Sequence, residues 1–493
     1  MVILPRAQDH QGDPRRFVET IVSARAALGP EPLLYTPGLG LPSELATLVL
    51  LTVDVVDTAA VDLAAQMGLS TSTTGLQGLQ GPMAEGAQLP LASDHEHAAK
   101  LLQENRQALV AEAALLARAV EGERAREVVS QRMFAHPWTV AAVRAFESHP
   151  SEVALRLAPV RRKRCIVLSD DDLGRPDIQK YLQRLEGYRR PPAAEVALLV
   201  PCSARKPYSS SRSLRATMQL VQSLPNPWAV HVIVVTSPLG AVPLDLEATH
   251  PAAVYDIPVT GTWSPREERL IRDRVGRLLR GGQYRFAAAC VPGLQVLHEV
   301  QGLDVVITEG KPHQNEVSAQ LRGPLHSAVT ALQKVAARDR LAQDLRALVT
   351  FQLGRDAAQC LTDARVRGRP PWCRLIGSEG DLGGCVPGSA GFVPTVSGWQ
   401  RLASTGRWWV EVGDLPKTGS VFCAGISSAD QAISPGDEVW LRQGGALVGC
   451  GTAAASGWEM QSSRRGLGVR VRHWVSPVQE AETAGEAAAA GHP

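Results

Sequence analysis

The run Pro201-Cys202-Ser203-Ala204-Arg205-Lys206-Pro207-Tyr208 brings a nucleophile, two cations and a phenol into one short loop. A cysteine attacks electrophiles as its thiolate, and neighbouring cations favour that form. Arg205 and Lys206 are therefore candidates to activate Cys202. Tyr208 can stack on a flat ring or bond through its hydroxyl, and Ser211 stands where a helix can begin. The first backbone N–H groups of such a helix are free to hold an anion. The same residues are also compatible with a buried thiol beside a solvated basic loop, so position has to decide.

Cys202 follows the apolar run 196–200, which reads as a buried strand. Ligands of open α/β sheets bind outside the carboxyl ends of the strands. Two more apolar runs, 232–235 and 305–307, are each followed by a polar turn: Thr236-Ser237-Pro238-Leu239-Gly240 and Glu309-Gly310-Lys311-Pro312-His313. Tyr255-Asp256-Ile257-Pro258-Val259-Thr260-Gly261 is another polar segment. Parallel strands would gather these turns on one edge, which makes Ser237, Asp256, Thr260, Glu309 and His313 candidate substrate contacts. Amphipathic helices are expected at 212–223, 265–280 and 315–338, and an edge strand at 165–168. Residues 165–340 thus read as a three-layer α/β domain with a largely parallel sheet.

The flanks read differently. Segment 1–150 predicts a helix at 14–30, strands at 33–36 and 53–57, and a long helix at 96–120. Helix alternating with strand is the rhythm of an α/β barrel or open sheet. Segment 345–405 reads as a small α+β domain. Segment 406–475 carries short apolar strands at 408–412, 420–423, 438–441 and 468–472, separated by turns such as Pro435-Gly436-Asp437, and reads as a small β-barrel. The Ala/Glu/Gly-rich residues 476–493 read as disordered. The fold expected is multidomain, α/β and α+β.

Composition narrows the classes. The 493 residues suffice for about two to four domains, and 44% hydrophobic with 20% charged residues is ordinary for a globular chain. No apolar run is long enough for a membrane span, and the amino terminus turns polar too soon for a secretory signal, so a cytoplasmic protein is expected. The formal charge of +2 leaves any polyanion contact to local clusters, of which Arg161-Arg162-Lys163-Arg164 and Arg464, Arg465, Arg470 and Arg472 are the clearest. The eight cysteines form no C-x-x-C pair, so neither metal nor cofactor is expected.

PCSARKPYSSSRS resembles the signature of archaeosine synthase alpha subunits: proline-cysteine, three residues, lysine-proline-tyrosine, two residues, serine, two residues, histidine. It matches at Pro201, Cys202, Lys206, Pro207, Tyr208 and Ser211, and the histidine falls on Leu214. TSPLGAVP and YDIPVTGTW extend the resemblance to Trp263. LLYTPGLGLPSELATLVLLTVDVVDT resembles the late part of a tRNA-guanine transglycosylase barrel, with Asp57 at the nucleophile position. The chain before Asp57 is too short for a full barrel, and no cysteine precedes Cys165 to form the transglycosylase zinc site, so a partial, TIM-barrel-like docking domain is expected. Segment 345–405 resembles the small domain before the PUA domain of archaeal transglycosylases. The turns and basic strand of 406–475 resemble PUA itself, an RNA-binding barrel, with Lys417, Arg442, Arg464, Arg465, Arg470 and Arg472 as candidate phosphate contacts.

The resemblance implies a tRNA-modifying transferase acting on 7-cyano-7-deazaguanine (preQ0) in the tRNA D-loop and converting its nitrile toward the formamidine of archaeosine. Cys202 would be the nucleophile of a covalent route, Lys206 and Arg205 would stabilise charge, Tyr208 would position the base, and Ser211 belongs to the same motif. Free lysine is the implied amine donor, with a radical-SAM lyase as partner; glutamine is the alternative donor. A non-catalytic tRNA-binding subunit and an active transglycosylase are the competing readings.

Overall fold

The computed structural model describes residues 1–10, 12–78, 95–149, 164–258, 262–291, 293–308, 310, 314–370, 372–385, 391–416 and 418–475. Thr260, Glu309, His313, Lys417, the run 161–163 and the expected tail 476–493 lie outside them. The chain divides into two compact units, Met1–Arg156 with Ser462–Arg465, and Leu157–Gln461 with Gly466–Pro493.

In the first unit the helix Pro14–Leu28 starts at Asp13, whose carboxylate accepts from the Arg16 N–H, with proline in the first turn where its missing N–H costs nothing. Phe17, Val18, Ile21 and Val22 form its buried face. Strands Val2–Ile3 and Leu34–Tyr35 pair in parallel, and the expected strand 53–57 is reduced to a single parallel bridge between Tyr35 and Val55. Among the described residues of this unit no barrel closes. Local carboxylate bonds interrupt the ladder: Asp54 accepts from the Leu34 amide at 2.8 Å and from Arg25 at 2.6 Å. Asp57 accepts from the Tyr35 hydroxyl at 2.7 Å, the Gly38 amide at 3.0 Å and the Ala59 amide at 2.9 Å. Burial raises the Asp57 pKa, but these donors outweigh it and hold the carboxyl below its ordinary range.

The second unit is built on a five-stranded sheet, in the order Asp304–Ile307, Phe286–Ala289, Val196–Pro201, Val230–Thr236, Gly240–Pro243. The first four strands are mutually parallel and the last is antiparallel. Val196–Val200 and Val230–Thr236 are buried at every position, as continuous β-branched and leucine runs should be when helices cover both faces. The helix Pro265–Gly282 begins with a Ser264–Glu267 capping box and buries Ile271, Val275, Leu278 and Leu279. The turn Thr236–Gly240 is a tight hairpin. Gly240 has φ +74°, and an added Cβ would lie 2.7 Å from the Arg274 Cβ of that helix, so this position requires glycine.

Several expectations change. Cys165–Ile166 is not an edge of the main sheet; it pairs in parallel with Tyr255–Asp256 in a separate two-stranded sheet. The strand Phe286–Ala289 was not expected, because three alanines carry little apolar signal, yet it lies between two of the predicted strands. The helix expected at 315–338 ends at Thr330, and a second runs Ala337–Leu353. The break has a cause: the Asn226 side chain donates to the Gln333 carbonyl and accepts from the Val335 amide, holding that backbone out of the helix.

Beyond these lie a four-stranded antiparallel sheet spanning Arg365–Pro394 and a six-stranded barrel-like sheet spanning Trp409–Trp474. The latter contains a strand missed in the sequence, Ala446–Ala453, joined to Glu438–Gln443 through Gly444-Gly445. Asp437 of the barrel accepts from Arg184 at 2.6 Å, and Ser434 from Lys180 at 3.1 Å, on the helix Pro176–Gly187 of the α/β domain.

Candidate active site

Parallel strands bring their carboxyl ends to one edge. There Pro201 closes its strand, and Cys202 follows as an exposed thiol. The loop after it is braced by its own atoms: Ser203 donates to the Arg205 carbonyl at 3.0 Å, and Ser210 to the Pro207 carbonyl at 2.7 Å. Glu247 accepts from the Ser209 amide at 2.8 Å. Ser211 then caps the helix Arg212–Gln222, its hydroxyl accepting from the Leu214 amide at 3.2 Å. Between loop and helix lies a cleft of about 850 Å³ lined by Cys202, Ser203, Arg205, Arg212, Leu214 and Thr217, among others.

Behind the loop the side chains are interlocked. Tyr208 is buried, and its hydroxyl lies 2.7 Å from that of Tyr255, which lies 2.5 Å from Thr236 Oγ1. Thr236 donates to the Ser237 carbonyl at 2.9 Å, so Tyr255 donates to Thr236 and Tyr208 donates to Tyr255. The Lys206 ammonium sits 3.8 Å from the centre of the Tyr255 ring and 5.8 Å from that of Tyr208, within cation–π range. Burial lowers the Lys206 pKa; Cys202 and Asp256 pull it back up, and Arg164 adds to the depression.

Tyr208 therefore cannot stack on a base from where it stands, and burial holds its hydroxyl well above the usual phenol range. Ser211 is 3% exposed and bonded as a cap, so it shapes the loop. Asp256 stands at the same edge but is ion-paired with Arg164. Ser237 is buried, and among the described residues its hydroxyl oxygen has no hydrogen-bond partner. Tyr255, Thr236 and Glu247 were not among the candidate residues read from the sequence, although Tyr255 and Thr236 open two of its polar segments. Cys290 ends the neighbouring strand at the same edge, but burial raises its thiol to about 12 and it donates to the Leu199 carbonyl at 3.4 Å. It has neither exposure nor thiolate character.

Arg464 and Arg465, just before the strand Leu467–Trp474, and Arg470 within it are exposed. Arg442 and Arg472 are not free cations: Arg442 pairs with Glu411 at 2.6 Å and lies 3.6 Å over the Trp409 ring, and Arg472 pairs with Glu438 at 2.7 Å.

Residues 178–325 match a family model described as a domain of unknown function (DUF5591), and residues 415–475 match the PUA domain model. The barrel is a PUA domain. The chain is 28% identical over 501 residues to the archaeosine synthase subunit alpha of Methanosarcina acetivorans, a match that covers 96% of this chain and 79% of the relative. It is 29% identical over 488 residues to the archaeosine synthase of Haloferax volcanii, covering 96% and 82%. The tRNA-guanine(15) transglycosylase of Methanothermobacter thermautotrophicus is 24% identical over 492 residues, covering 93% and 68%. The chain resembles archaeosine synthases along most of its length. The model matching 178–325 includes Cys202 and every residue of the interlocked group, Lys206, Tyr208, Thr236 and Tyr255.

Proposed function

We propose that this protein modifies tRNA as an archaeosine synthase of the alpha-subunit type, adding an amine to the nitrile of 7-cyano-7-deazaguanine in the D-loop. The observation that carries the reading is an exposed cysteine at the carboxyl edge of a parallel sheet, opening on a cleft and set beside a half-buried lysine. In this reaction the Cys202 thiolate adds to the nitrile carbon, and the nitrile nitrogen takes up a proton, giving a thioimidate. An incoming amine adds to the same carbon, the C–S bond breaks, and the thiolate leaves, so the product is an amidine and the cysteine is regenerated. Lys206 and Arg205 oppose the negative charge that builds on nitrogen. Ser237, whose buried hydroxyl has no hydrogen-bond partner among the described residues, is a base-contact residue at the adjacent strand end. Thr260, Glu309 and His313 are further proposed substrate contacts in the same reading. Free lysine is the proposed donor, glutamine nitrogen the alternative, and a radical-SAM lyase completes archaeosine from the lysine adduct.

In this division of labour residues 165–340 carry the chemistry. Segment 1–150 is a docking scaffold in which Asp57 is a structural acceptor, 345–405 a connector, and 406–475 the RNA-binding domain. Incubating the protein with tRNA carrying the cyano base and either lysine or glutamine, then digesting to nucleosides for mass spectrometry, tests the proposal. A lysine adduct on the base supports it. Tight tRNA binding with no adduct from either donor replaces it with a non-catalytic binding subunit.

A further inference from the structure

We infer that Tyr255 is a positioning residue that holds the Lys206 ammonium beside Cys202 through the face of its ring. The inference rests on the reading of Cys202 as the nucleophile. Lys206 makes no ion pair among the described residues, and the carboxylate that acts on it, Asp256, is itself paired with Arg164. What the ammonium touches instead is an aromatic face at 3.8 Å. That choice of partner matters chemically. A carboxylate would neutralise the ammonium and occupy its N–H donors, whereas a ring face attracts the charge and leaves the donors free for an anion that develops during reaction. The ring is also fixed. It is 2% exposed, its backbone lies in the strand paired with Cys165–Ile166, and its hydroxyl is held between Tyr208 and Thr236. The groups facing the ammonium are Cys202, Asp256, Arg164, Tyr208 and Tyr255. The two tyrosines are buried phenols held above their ordinary range, so at neutral pH they meet the lysine as neutral rings.

The test reads the alkylation of Cys202 by iodoacetamide at fixed pH in the full chain, quantified on the Cys202 peptide by mass spectrometry. This readout needs no cyano-base substrate, so it stands whether or not the archaeosine reading does. Lys206→Ala and Tyr255→Leu should each slow alkylation by about three- to tenfold, the loss of a neighbouring cation. Tyr255→Phe keeps the ring and should stay within about twofold of the parent protein. In the Lys206→Ala background, Tyr255→Leu should cause no further slowing, because it acts through the lysine. Graded fluorination of a phenylalanine at 255 preserves shape while weakening the ring's negative face, so it reports even where Tyr255→Leu fails to fold; alkylation should slow with each added fluorine. A rate indifferent to fluorination, or a Tyr255→Phe protein as slow as Lys206→Ala, overturns the inference. So does a full additional slowing by Tyr255→Leu on top of Lys206→Ala. Any of these results with Cys202-dependent product formation intact removes the role of Tyr255 alone.

Discussion

Two cysteines follow adjacent parallel strands at the same edge of the sheet, and they differ in exposure and in bonding. Cys290 is buried and bonded to a carbonyl, while Cys202 is exposed at the mouth of a cleft with a lysine nearby. Cys202→Ala should therefore abolish nitrile modification while leaving tRNA affinity nearly intact. Cys202→Ser should be equally inactive, because serine keeps the size without the nucleophilicity. Substantial single-turnover product from Cys202→Ala, measured as modified nucleoside, would remove the covalent route. Lys206→Ala should slow turnover by roughly ten- to a thousandfold, the usual size of one electrostatic contact to a transition state. The pH profile carries a signature of its own. Burial favours the neutral amine, so the ammonium contribution is present at low pH and is lost, as pH rises, below the ordinary lysine range. Arg164→Ala removes a cation and frees Asp256, both of which favour the ammonium, so the alkaline limb of kcat/KM should move to higher pH. The exposed cysteine and the lysine near it were legible in the sequence because strand, cysteine and basic residues are contiguous there. The inward turn of Tyr208 was not, because a tyrosine suits both an interior and a stacking surface, and its partners Tyr255 and Thr236 are distant in the chain.

At the scale of elements, the edge that gathers the site depends on tight connections. Gly240 turns the hairpin that follows Thr236, and the Arg274 side chain leaves no room for a Cβ. Gly240→Ala combines an unfavourable positive φ with that clash and should destabilise the protein by about 1–3 kcal/mol, read as a lower urea midpoint. A change below about 0.5 kcal/mol would show that the helix can yield. The strongly apolar strands were recognisable from composition alone. The Phe286–Ala289 strand was hidden by its alanines, and the helix boundary at Thr330 by a distant asparagine that captures the next turn of backbone. In the amino-terminal unit the alternation of helix and strand was visible, but the carboxylate bonds that replace strand pairing around Asp54 and Asp57 were not.

At the scale of the whole molecule, the proposed function puts the chemistry on one sheet and RNA binding on another. Replacing Arg464, Arg465 and Arg470 together by alanine should weaken tRNA binding and flatten its salt dependence by up to about one unit of slope per lost phosphate contact. Turnover of saturating tRNA should survive. Unchanged affinity at low and high salt would place the RNA elsewhere. Arg472→Ala should behave differently. It breaks a half-buried pair with Glu438, so its effect should appear in the melting temperature ahead of the salt slope. The basic character of the strand was plain in the sequence, but which arginines face solvent and which serve the barrel required the opposing strand.

The distribution of thiols has a consequence for the protein in air. Of the eight cysteines, five are buried, Cys360 and Cys385 are partly covered, and Cys202 is exposed. Oxidants select accessible thiols, so peroxide should reach Cys202 before the rest of the molecule is damaged. Early oxidation to the sulfenic acid or a mixed disulfide would silence the enzyme with its fold intact, and a reducing thiol would restore it. Ageing preparations would then lose titratable active sites faster than folded protein, with tRNA affinity unchanged throughout.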